Sequence, residues 1–245
     1  MDNNISTTKL EKFKQTLSAR NKEIVSTVVK NTLYITTDEL VEMVKANLIK
    51  FINEHPKYNL YIPMDKISSE HYLMLKLEAL LNPVCVIKDT NYLYAESLDT
   101  KITNDYPILI IDDAIYSSNN MCSHIDGLRT NKILNDVYCI VGVLSSHTVQ
   151  VARDFNAKII SHYVLDDKMI CNLFEDYNFD YFNIQFGCET QYILPVFFEH
   201  KIANEFGSYD FYHKICEKPV NRSPIDSIRV QDVVEFIKRL KLKVV

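Results

Sequence analysis

Two rhythms of apolar and polar positions run along this chain. The first fifty-odd residues carry the helical one. Over 5–30, Leu10, Phe13, Leu17, Ile24 and Val28 recur near helical spacing among polar residues and predict a helix. Thr37 has the residue type of an N-cap and Glu39 is a first-turn acid. Behind them Leu40, Val41, Val44, Leu48, Ile49 and Ile52 follow i, i+3, i+4 spacing and predict a stronger helix over 38–53. His55-Pro56 ends it, because a residue before proline is pushed out of the helical region.

From Tyr58 onward the rhythm changes. Short apolar runs at 59–62, 83–88, 108–111, 137–144 and 158–165 predict strands, and the segments 68–81, 119–130 and 148–156 predict helices between them. Strands joined through single helices are parallel, because a parallel pair needs a crossover connection, and such crossovers are right-handed. The expected fold class is α/β: a mainly parallel sheet flanked by helices, with an N-terminal helical extension over 1–56, a core over 57–174, and an aromatic lobe with a closing helix over 175–245. In the last region Tyr192–Val196 is strand-like, and 228–240 reads as an amphipathic helix whose basic end suits its dipole. Glu199, His200 and Lys201 bring an acid, an imidazole and an amine together, but strand alternation lets at most two of them face one site.

The sharpest local feature is Ile108-Leu109-Ile110-Ile111 followed at once by Asp112-Asp113. Branched apolar residues running into carboxylates are how a buried parallel strand ends, and ligands of open α/β sheets bind just beyond such ends. The small hydroxyl and amide residues that follow can turn the chain and cap the next helix, whose first N–H groups face the same crevice. Carboxylates on one side and anion-seeking N–H groups on the other suit a ligand carrying both hydroxyls and a phosphate. The same two carboxylates are also compatible with a plain helix-capping role.

The run from Ile108 to Asn120 resembles the ribose-phosphate signature of type I phosphoribosyltransferases: four apolar residues, two acids, a spacer and a phosphate loop. The resemblance implies a type I phosphoribosyltransferase-like fold. It also implies that Asp112 and Asp113 hold the ribose 2- and 3-hydroxyls of phosphoribosyl pyrophosphate. Ala114, Ile115, Tyr116, Ser117, Ser118, Asn119 and Asn120 would form the loop for the 5-phosphate, and Lys66, in the loop after the first strand, would meet the pyrophosphate. Mg2+ would arrive with the pyrophosphate substrate. The segment 89–105, with Tyr92, Tyr94 and Lys101, stands where the family carries a mobile closing loop; a two-stranded arm at a homodimer contact is the alternative. The implied activity is transfer of the phosphoribosyl group to a nitrogenous acceptor with release of pyrophosphate. Where the family usually has Thr-Thr-Gly-Gly-Thr, this chain has Tyr116-Ser117-Ser118-Asn119-Asn120. Loss of glycine restricts the backbone's approach to an anion, which bears on turnover rather than on fold. A catalytically inactive regulatory or protein-interaction module therefore stands as the alternative function.

Other features narrow the field. Leu109–Asp113 also resembles the first strand of response-regulator receivers. Such a domain needs a phosphoacceptor Asp closing a later strand, and the next one here ends Val143-Leu144-Ser145-Ser146. A net charge of −5 with both signs dispersed gives no electrostatic case for nucleic acid; the partner that the resemblance implies is a small phosphoribosyl or nucleotide ligand. Six cysteines stand singly, with no CxxC pair, which fits reduced thiols in a cytoplasmic protein better than zinc or disulfides. The polar N-terminus predicts no secretory signal, and no apolar run is long enough to span a membrane.

Overall fold

The computed structural model describes residues 5–63, 68–89, 102, 104–115, 119–146, 148–165, 196–198, 214–216 and 229–242. Its first elements are α1 (Thr7–Gln15), α2 (Ala19–Asn31), β1 (Leu33–Ile35), α3 (Thr37–Glu54), β2 (Asn59–Pro63), α4 (Ser69–Lys76) and β3 (Cys85–Asp89). There follow β4 (Ile108–Ile115), α5 (Asn119–Thr130), β5 (Val137–Ser145), α6 (Thr148–Asp154), β6 (Ala157–Leu165), β7 (Val196–Phe198) and α7 (Val230–Leu242). The chain forms two compact units, Met1–Thr37 with Leu165–Pro224 and Asp38–Val164 with Ile225–Val245. Among the described residues no helix is long and apolar enough to cross a membrane.

In the smaller unit the single helix expected over 5–30 is two. The Thr16 hydroxyl donates to the Phe13 carbonyl at 2.7 Å, and the Ser18 hydroxyl accepts from the Asn21 N–H at 3.3 Å as the N-cap of α2. Hydroxyls that bond to nearby backbone compete with helix continuation, which is why the break falls there. Strand β1, which the apolar pattern does not predict, pairs in parallel with β7, Leu33 opposite Val196 and Ile35 opposite Phe198. The chain's start is tied to the same distant region. Ser6 N–H donates to the Ile215 carbonyl at 2.8 Å, and Lys9 Nζ donates to that of Cys216 at 2.8 Å.

The larger unit is built on a five-stranded parallel sheet in the order β3-β2-β4-β5-β6, which meets the α/β expectation. Its centre is sealed on both faces: all nine residues of β5 are buried, and all of β4 except Asp112. On one face Ile108 and Ile110 of β4 and Cys139 and Val141 of β5 cluster with Met121, Ile125 and Leu128 of α5. On the other, Leu40 of α3 packs against Gly142, where an added Cβ would overlap its Cδ1 and come within 3.1 Å of the Asp113 carbonyl oxygen. Burying each such aliphatic side chain contributes about 1.5–3 kcal/mol. A knot of amides sets where β4 begins. Buried Asn59 donates to Asn104 Oδ1 at 2.8 Å and to the Tyr106 carbonyl at 2.9 Å, and Asn135 donates to the same Tyr106 carbonyl at 2.8 Å. Arg239 of α7 makes a two-pronged ion pair with Glu78, in the 3-10 turn Glu78–Leu80 that follows α4.

Strand β4 runs further than its sequence suggests. Its apolar run stops at Ile111, but pairing with β5 continues through Asp112 opposite Val141, Ala114 opposite Val143 and Ile115 opposite Leu144. The acidic pair is therefore part of the strand. The carboxylates are accommodated because each accepts a backbone N–H on its own strand, Asp113 N at 2.7 Å for Asp112 and Ala114 N at 2.8 Å for Asp113.

Candidate functional site

Successive residues of a strand face opposite sides of its sheet, so Asp112 and Asp113 look in different directions. Asp113 is sealed, with 1% of its surface exposed. Asp112 faces the α5 side and borders a small cavity with Glu70, Ile110, Ile115, Met121, His124, Cys139 and Val141. That cavity has a volume of about 10 Å³, the space of roughly one water molecule.

Helices α4 and α5 and strands β2, β4 and β5 bring polar groups to or beside this cavity. Helix α4 starts at Ser69, and the Ser68 N–H donates to His71 Nδ1 at 3.2 Å, the reciprocal bond of a capping box. This start orients two neighbours toward β4: Ser69 Oγ donates to Asp112 Oδ1 at 3.3 Å, and Glu70 reaches the cavity wall. A carboxylate in the first helical turn is favoured by the helix dipole, which helps hold Glu70 in place. From α5 comes His124, 4% exposed, whose Nδ1 is 3.0 Å from the Tyr61 hydroxyl of β2. The Cys139 thiol of β5 is pushed up to about 12 by burial, with the nearby Asp112 charge adding to the effect, so it stays protonated rather than acting as a nucleophile.

Glu70 is the most unusual member. It is 7% exposed, and its Oε2 is buried with no hydrogen-bond partner. A buried acceptor left unpaired costs about 1–3 kcal/mol, and more when charged, so such an atom marks a place built to receive a donor. Acceptors lining a one-water cavity suit a hydroxyl or an N–H group. Among the described residues no three His, Cys, Asp or Glu side chains are grouped to hold a metal ion.

The residues singled out by sequence are distributed as follows. Asp112 lies at the cavity, whereas Asp113, Ala114 and Ile115 are buried in β4, Ile115 also lining the cavity wall. Asn119 and Asn120 are exposed in the first turn of α5. Lys66, Tyr116, Ser117 and Ser118 lie outside the described residues, as do Tyr92, Tyr94, Lys101 and Glu199–Lys201. Sequence reading missed Glu70, Ser69, His124 and Cys139. The signal for Glu70 was present in Ser68-Ser69-Glu70, but an acid there reads as an ordinary cap until its burial is known.

The sequence matches no protein-family model and no curated protein. Three solved structures are similar to the chain. One is an orotate phosphoribosyltransferase from Aeropyrum pernix, 11% identical over 54% of this chain and 74% of that one, with a TM-score of 0.36. Another is a hypothetical protein from Neisseria gonorrhoeae with bound ppGpp, 13% identical over 56% of this chain and 85% of that one, TM-score 0.36. The third is a hypoxanthine phosphoribosyltransferase from Staphylococcus aureus, 12% identical over 51% of this chain and 72% of that one, TM-score 0.30. From its own strand order, the chain has the parallel, helix-flanked α/β architecture that its resemblance to type I phosphoribosyltransferases implies.

Proposed function

We propose that this protein binds a phosphoribosyl compound, phosphoribosyl pyrophosphate or a nucleotide, between the C-terminal half of β4 and the start of α5. The observation that carries this reading is Asp112. It is a carboxylate on the central strand of a parallel sheet, bordering a small, mostly apolar cavity that Met121 and His124 of the following helix also line. Its acceptor oxygens suit ribose hydroxyls. The first turn of α5, with Asn119 and Asn120, supplies N–H groups for a phosphate together with Ser117 and Ser118.

In phosphoribosyl transfer, charge develops at the anomeric carbon as magnesium pyrophosphate departs and the nitrogenous acceptor closes in. The protein's part is to position the ribose and to stabilise that charge. Asp112 orients the ring through a hydroxyl, the α5 turn holds the 5-phosphate, and Lys66 meets the leaving pyrophosphate. A second reading is binding without transfer. Two observations favour it: Asp113 is sealed and bonded to the Ala114 N–H, and the segment Tyr116–Asn120 holds no glycine.

Calorimetric titration with phosphoribosyl pyrophosphate and Mg2+, beside AMP, GMP and ribose 5-phosphate, tests both readings. Saturable binding is expected. Pyrophosphate release with a nitrogenous base selects the enzyme, its absence across a panel of bases selects the regulatory module, and no binding by any compound rejects the ligand assignment.

A further inference from the structure

The ribose-hydroxyl role of an Asp-Asp pair requires both carboxylates to reach one ligand, and here strand alternation separates them. Asp113 is 1% exposed and accepts from Ala114 N–H. The carboxylate that does share a cavity with Asp112 is Glu70, 42 positions earlier on a different element. Its Oε2 is buried and without a hydrogen-bond partner. Ile110, Ile115, Met121 and Val141 form the apolar part of the same wall, neither His124 nor Cys139, which also line it, donates to Glu70 Oε2, and one polar guest fits the space.

We propose that Glu70, in place of Asp113, is the second acidic partner for the ligand's ribose, accepting from a hydroxyl that enters the cavity beside Asp112. This rests on the phosphoribosyl reading above and deepens it, because it makes Glu70 the residue that distinguishes ribose from deoxyribose. The physical basis is that a site built around a hydroxyl rejects the analogue lacking it, since its buried acceptor is then left unpaired.

The test is calorimetric titration of ribose 5-phosphate and AMP, with their 2-deoxy and 3-deoxy counterparts, into the full-length protein and its Glu70→Gln and Asp113→Asn variants. Wild type should bind the ribose forms about tenfold or more tighter than one of the two deoxy forms. Glu70→Gln, which trades one carboxylate oxygen for an N–H donor and leaves only a neutral acceptor, should reduce that preference, whereas Asp113→Asn, whose side chain lies outside the cavity and keeps an oxygen for the Ala114 N–H, should leave it unchanged. The ribose-to-deoxyribose ratio within one preparation is independent of the fraction folded, so a merely structural role for Glu70 would not move it. If Glu70→Gln does not fold, Glu70→Asp replaces it, with a reduced preference expected because the shorter carboxylate withdraws from the cavity. Binding that prefers ribose equally in wild type and the Glu70 variant overturns this inference and leaves the phosphoribosyl reading intact. So does a preference lost on Asp113→Asn, or wild-type binding indifferent to both hydroxyls. Absence of wild-type binding to every phosphoribosyl compound, phosphoribosyl pyrophosphate included, overturns both.

Discussion

The two faces of β4 meet neighbouring aspartates with opposite solutions. On the α3 face the packing is closed: Leu40, itself fully buried, sits against Gly142, and Asp113 is enclosed with its carboxylate bonded to its own strand. On the α5 face the packing stops short, and the gap is lined by Asp112, Glu70, His124 and Cys139. Two identical residues, adjacent in sequence, thus differ in role because one strand step reverses the side chain. Residue type identifies a candidate; only the face it occupies decides whether a ligand can reach it.

The closed face is the easier to break, and the largest effect is expected there. Leu40→Ala should destabilise the protein by about 2–5 kcal/mol in urea unfolding, and Gly142→Ala by about 1–3 kcal/mol through overpacking. The double variant should cost less than the two summed, because the new methyl at 142 occupies space that Leu40 vacates. Additive losses would show that these two positions do not share a contact.

The acidic pair sharpens the contrast at intermediate size. Asp113→Ala removes the acceptor of a buried N–H and should cost about 1–3 kcal/mol. Asp112→Ala, on a half-buried carboxylate beside a cavity, should cost distinctly less stability while abolishing binding of ribose 5-phosphate. Equal losses of stability from both would contradict the difference between the faces.

The smallest effect concerns pH. Cys139 in the fold holds its proton up to about 12, against an ordinary thiol value near 9. The unfolded chain therefore ionises first as pH rises, binding fewer protons than the folded one, so stability is complete below about pH 9 and falls between there and 12. Each such thiol contributes a slope of at most about 1.4 kcal/mol per pH unit. Cys139→Ala should flatten the alkaline decline of the urea midpoint without removing it, since burial also raises Cys216 to about 12. An unchanged slope would show that Cys139 is not sealed as described.

Much of this architecture was legible in sequence because it is written locally. The helix expected over 119–130 coincides with α5, and the apolar runs at 59–62 and 137–144 fall within a residue of β2 and β5. What was not legible depends on distant partners. Nothing around Leu33-Tyr34-Ile35 announces a strand, because its partner β7 is met only in the fold. The end of β4 was misplaced at Ile111 because two carboxylates look like a boundary, whereas pairing to β5 and two backbone N–H groups carry them onward. In the site, Asp112 could be found from its place after the apolar run. Glu70 could not, since its burial arises from α4 meeting β4, a contact that helical periodicity does not encode.

The pairing of β1 with β7 also has a consequence for biosynthesis. Leu33 and Val196 stand 163 positions apart, whereas β2 to β6 all lie within 59–165. At typical elongation speeds β1 waits roughly 10–30 s for its partner, which is made only after the last sheet strand of the larger unit. The nascent chain can therefore assemble its five-stranded sheet while an apolar three-residue strand still lacks its mate. That interval is when the N-terminal segment is most open to capture by a chaperone or by a neighbouring nascent chain.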